Sequence, residues 1–70
     1  MNNLKILNSF SFYDYNFIVI EQYGLWHVAK VSDDKDNYFK LDVVKSFCEA
    51  EQKAIEHLER IGVVKNTFLV

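Results

Sequence analysis

The spacing of apolar residues changes period once along the chain. From Asn16 to Val44 apolar positions alternate with polar ones or form short apolar runs, and from Phe47 to Ile61 they recur every three or four residues. The first pattern belongs to strands and the second to a helix. Three stretches read as strands: Asn16 to Gln22, Leu25 to Val31 and Tyr38 to Val44, all rich in β-branched and aromatic residues. Tyr23-Gly24 between the first two predicts a tight hairpin turn. The polar run Asp33-Asp34-Lys35-Asp36 predicts a surface loop before the third.

The helix is marked at both ends. Ser46-Phe47-Cys48-Glu49 fits a capping box, in which the serine oxygen accepts from the Glu49 N–H and the glutamate reaches back. Gly62 fits the left-handed position just past a helix end. Between them Phe47, Ala50, Ala54, Leu58 and Ile61 form one stripe. Glu49→Lys53 and Glu56→Arg60 are i,i+4 pairs in the favourable order. Leu4 to Tyr15, with Phe10, Phe12, Tyr13 and Tyr15, reads either as an edge strand or as an arm covering the sheet. The tail Val63 to Val70 is apolar enough to dock, as a short strand at most. The predicted fold is therefore α+β: a three-stranded antiparallel meander, open to an extra edge strand from a terminus, then one amphipathic helix on one face. Seventy residues make this a single domain, 1–70.

A register follows from the two turns. With Ser32 opposite Asn37, Val28 faces Leu41, Trp26 faces Val43, Ala29 faces Lys40 and His27 faces Asp42. With Tyr23-Gly24 as a two-residue turn, Val19 opposes Val28, Ile18 opposes Ala29 and Ile20 opposes His27. One face then holds Phe17, Val19, Trp26, Val28, Phe39, Leu41 and Val43, and receives the helix. The other holds Ile18, Ile20, Leu25, Ala29, Val31 and Val44, with His27, Tyr38, Lys40 and Asp42. A sheet with one helix should leave its second face mostly polar. Half of this one is apolar, so something is expected to cover it: the N-terminal arm, the tail, a protein partner or a second copy.

Composition narrows the function classes. Half the residues are apolar and 16% aromatic, which supplies a core and argues against disorder. A net charge of −2 counts against nucleic acid as the partner, because phosphate binding is driven by a basic surface. A single cysteine, Cys48, allows no internal disulfide and points to a reducing, cytoplasmic setting. The N-terminus lacks the apolar run of a signal peptide, and no stretch is long enough for a membrane span. The abundance of Asn, Lys, Ile, Phe and Tyr matches AT-rich coding, as in an AT-rich bacterium or its phage.

Candidate chemistry is thin. His27 and Asp42 facing one another resemble a base and its orienting carboxylate, but an ordinary cross-strand pair accounts for them with no nucleophile in reach. Cys48 in the first helical turn gains from the dipole and is opposed by Glu49 and Glu51, so a small buried hydrophobe is the simpler reading. Glu51 falls inside the apolar stripe by helical angle and must reach out of it or find a partner such as Lys30. Asp33 to Asn37 resembles half a calcium loop without its glycine and distal glutamate, and reads as a solvated turn. His27, Cys48 and His57 lack zinc spacing. Tyr38 with Lys40 is the one pair suited to stacking a nucleic-acid base. No cofactor and no catalytic residue is expected.

Ser46 to Ala54 resembles the last helix of double-stranded-RNA-binding domains, and the three preceding strands suit that comparison. There, basic residues follow the serine and contact phosphate; here Phe47 and Cys48 stand in their place, and the first helix of that fold is missing. The arm-binding domains of phage-type integrases are similar in strand-strand-strand-helix order. These resemblances imply a nucleic-acid module as the alternative function. Small acidic αβ proteins of phages and mobile elements, among them anti-CRISPR proteins and other anti-defence inhibitors, resemble the chain in general character. The expectation is a non-enzymatic protein-binding module, an accessory regulator or inhibitor. It would act through Ile18, Ile20, Ala29 and Val31 as an apolar centre and His27, Tyr38, Lys40 and Asp42 as a polar rim. The acidic helix surface of Glu49, Glu56 and Glu59 is a second candidate surface.

Overall fold

The computed structural model describes residues 4–64. Four strands, β1 (Lys5–Phe12), β2 (Tyr15–Gln22), β3 (Leu25–Val31) and β4 (Tyr38–Val44), precede one helix, α1 (Phe47–Arg60). The strands pair antiparallel in chain order, so β1 and β4 are the two edges of a four-stranded meander. The segment open to two readings is thus a strand. It widens the sheet and does not lie across it.

The first two hairpins each turn on two residues with positive φ, Tyr13 (54°) with Asp14 (69°) and Tyr23 (55°) with Gly24 (79°). Positive φ at both central positions is the type I′ geometry, whose twist matches that of the flanking strands. The second hairpin carries glycine and is legible. The first places an aspartate where glycine is usual, which a short polar side chain tolerates. The β3–β4 loop closes on itself: the Ser32 N–H donates to the Asn37 carbonyl at 2.9 Å and the Lys35 N–H to the Ser32 carbonyl at 2.9 Å. The Asp34 carboxylate accepts from the Ser32 hydroxyl and the Asp36 N–H, and these bonds hold its pKa below the ordinary value.

The helix caps follow the sequence signals. Ser46 Oγ accepts from the Glu49 N–H at 3.0 Å, and Glu49 Oε1 accepts from the Lys45 N–H at 2.7 Å. Gly62 (φ 85°) ends the helix, with its N–H on the Glu59 carbonyl and the Val63 N–H on the Leu58 carbonyl. That bond pair is the Schellman motif. With Glu49 committed to the cap, Lys53 turns instead to Asp42 (3.5 Å) and Glu56 (3.7 Å). Both pairs are half exposed, so each is worth under about 1 kcal/mol.

The helix lies over β4, β3 and part of β2. Ala50 and Ala54 are small enough to let its backbone approach the sheet, and Leu58 fills the far end; all three are fully buried. One cluster joins Val19, Val28, Val44 and Ala50, and a second joins Phe17, Ala54 and Leu58. Phe10 borders both and stacks on Phe17 at 5.5 Å. Trp26 stacks on Phe47 at 5.2 Å and seals the helix start. Val63 and Val64 pack against the second cluster, on the helix side. The rest of the tail, including Phe68, Leu69 and Val70, lies outside the described residues.

Two bulges decide which side chains share a face. In β1 the pairing skips Leu7, and in β4 it skips Leu41. The predicted β2–β3 register holds throughout, as does Ala29–Lys40, with Lys30 paired to Phe39 beside it. Beyond the Leu41 bulge the β4 register is displaced by one residue: Val28 pairs with Asp42, His27 with Val43 and Trp26 with Val44. The extra residue reverses the faces of Asp42, Val43 and Val44. Val44 enters the core (3% exposed), Val43 points away from the helix (46% exposed), and Asp42 leaves the outer face for the helix side, where Lys53 meets it. The physical cause is packing: the bulge lets Leu41 and Val44 both reach the helix-side core.

Candidate functional site: the outer sheet face

Across the face away from the helix, pairing sets out rows of side chains. Ile6, Ile20, His27 and Val43 form one row; Ser9, Ile18, Ala29 and Lys40 form the next; Asn16 and Ser11 lie beyond, with Val31 and Tyr38. Both bulges sit on edge strands, where they bend the chain and increase twist. Around Ile18 and Val31 the face carries two open hollows. Ile6, Ile18, Val31 and Tyr38, one from each strand, line a single open hollow of about 240 Å³ whose wall is Lys35, Asp36 and Asn37 of the β3–β4 loop. A second hollow, of about 370 Å³, adjoins it along Ser9, Ser11, Asn16, Ile18 and Val31.

Seven of the eight expected contact residues lie on this face, and they are not equivalent. Ile20 and Ala29 are fully buried and form its floor. Ile18, His27 and Val31 are half-buried, and Tyr38 and Lys40 are exposed. Asp42 is absent from the face for the reason given above. Lys40 Nζ donates to Gln22 Oε1 at 3.0 Å. Since β3 lies between β4 and β2, the lysine methylenes must cross it, a use of a long cationic side chain as apolar cover. His27 Nδ1 is buried without a hydrogen-bond partner among the described residues. The base-and-carboxylate reading of His27 and Asp42 falls, because they are on opposite faces.

Three residues missed by the register belong here: Ile6 (59% exposed), Val43 and Lys35. Ile6 was legible only once Leu4 to Tyr15 was recognised as a strand, for which the signal is the similarity of Phe12-Tyr13-Asp14-Tyr15 to Gln22-Tyr23-Gly24-Leu25. Cys48 is exposed and is not the small buried hydrophobe its helical angle implied. Glu51 is exposed too, so its carboxylate stays in water.

On the helix side, Lys30 Nζ sits 5.0 Å from the centre of the Tyr15 ring. His57 is held below its ordinary value of 6.5, first by burial and then by Lys30 and Arg60. A histidine whose folded pKa is depressed opposes folding when protonated. Its contribution is complete above about 6.5 and declines as the pH falls from there through the lower folded value. His57→Gln should therefore flatten the acid side of the stability profile. Urea midpoints at about pH 7.5 and about pH 5 should converge more in the variant than in the wild type. Equal losses in both proteins would show that His57 is not the group responsible.

Among the described residues no helix is long and apolar enough to cross a membrane. No family model, curated protein or solved structure matches the chain.

Proposed function

We propose that the chain is a non-enzymatic protein-binding module that seats a partner on its hollowed outer face. It acts as an accessory regulator or inhibitor, of which a phage anti-defence protein such as an anti-CRISPR is one concrete form. The observation that carries the reading is the four-strand hollow. Ile6, Ile18, Val31 and Tyr38 present apolar surface on the side the helix leaves bare, with Lys35, Asp36 and Lys40 as a polar margin. An apolar patch with a polar rim is the usual form of a protein docking site. Ile20 and Ala29 support the site from beneath and make no direct contact.

The test is affinity capture from cells of the source organism with the full chain, its Val31→Asp variant and a Glu56→Gln control. A protein retained by the wild type and the control, lost with Val31→Asp and insensitive to moderate salt supports the reading. Retention of that protein by Val31→Asp overturns it. Recovery of nucleic acid that falls away steeply with salt would favour the alternative module.

A further inference from the structure

The two edges of the sheet are treated differently. In a type I′ hairpin the residues flanking the turn bond each other, so Phe12 pairs fully with Tyr15. Alternation along an antiparallel ladder then turns Phe10 and Asn8 toward β2 and leaves the backbone N–H and C=O of Ser9 and Ser11 pointing outward. On β4 the same count turns the Val43 N–H outward. There it is already taken, donating at 2.8 Å to Asp42 Oδ1, while the carboxylate's other oxygen faces Lys53. β4 thus combines a mid-strand bulge, a capped donor and two charged residues, Lys40 and Asp42, which are common defences against edge pairing. β1 has its bulge near one end, at Leu7. Among the described residues, Asn8 to Phe12 has none of those defences, and no charged residue occurs between Lys5 and Asp14.

We propose that β1 pairs antiparallel with β1 of a second copy, about a twofold axis at Phe10, joining two sheets into one of eight strands. In that register Ser9 of each copy lies opposite Ser11 of the other, so the outward backbone groups bond each other. The two Phe10 residues face across the axis and extend the Phe10–Phe12 aromatic edge, whose rings lie 5.5 Å apart. No like charges meet, because the paired stretch is uncharged. The contact is isologous and closes on itself; joining β1 to β4 would instead propagate without end, and β4 is the guarded edge. This assignment uses the sheet edge and is independent of the outer-face reading.

The experiment is mass by light scattering and sedimentation across a concentration series of the full chain, with hydrogen exchange of the same samples. The wild type should run as a dimer, and the Ser9 and Ser11 amides should exchange more slowly as concentration rises. Ser9→Pro removes the outward donor and puts ring atoms in its place, at an edge position where proline is compatible with the strand. It should weaken the dimer by about tenfold or more while circular dichroism stays that of the wild type. Ser9→Thr, which keeps the N–H, should dimerise normally, and so should Val31→Asp. A wild type that is monomeric throughout overturns the proposal. So does a dimer in which the Ser9 and Ser11 amides exchange freely, whatever Ser9→Pro does to the fold.

Discussion

Phe17→Ala should lower the melting temperature by roughly 15 °C or more, or leave no cooperative transition at all. The side chain is fully buried, stacks on Phe10 and joins Ala54 and Leu58 in the core between β2 and the helix end. Truncating a buried phenylalanine costs about 3–5 kcal/mol, from lost transfer energy and the cavity left behind. Per-residue stabilities give a chain of this length only about 3.5–10 kcal/mol in total. The neighbours cannot collapse into the gap easily, because Ala54 is on a helix already pressed against the sheet. Phe39→Ala is the matched control: the ring is 60% exposed and its loss should change stability by about 0.5 kcal/mol or less. Thermal melts followed by circular dichroism decide the matter. Similar shifts for the two variants would show that the core does not centre on Phe17.

Val44→Asp should remove much or all of the chain's stability, whereas Val43→Asp should leave it close to wild-type stability. The residues are adjacent and chemically identical, so only the face they occupy separates them. Val44 is 3% exposed and packs with Val19, Val28 and Ala50. A carboxylate there has no partner and must be desolvated, at a cost of roughly 3–5 kcal/mol. Val43 is 46% exposed on the outer face, where a carboxylate stays hydrated. Its Asp variant should cost less than about 1 kcal/mol in a urea titration. The opposite order would mean that the β4 register has no bulge and that Asp42 lies beside His27 on the outer face.

The helix, its two caps, the Tyr23-Gly24 hairpin and the β2–β3 register were all legible, because each is set by neighbours in sequence. A capping serine and its glutamate are three residues apart, and a two-residue turn fixes every pair that follows it. Much of the candidate site was legible for the same reason. Seven of its expected residues occupy the outer face: five because alternation runs along β2 and β3 without interruption, and Tyr38 and Lys40 because they precede the bulge in β4. Ile6 and Lys35 were hidden, one in a strand whose turn lacks glycine and the other in a loop whose fold is set by its own hydrogen bonds.

What the sequence by itself determined is the α+β class, the last three strands, the helix and the polarity of each, since periods of two and of three to four residues need no knowledge of the rest of the chain; whether Leu4 to Tyr15 joins the sheet was left to the tertiary structure. Tertiary structure decided the placement of Asp42, Val43 and Val44, the two hollows of the outer face and the burial of Ile20 and Ala29. The bulges at Leu7 and Leu41 leave no local mark. The one at Leu41 lets both Leu41 and Val44 pack into the helix-side core, and that gain exists only once the helix is docked.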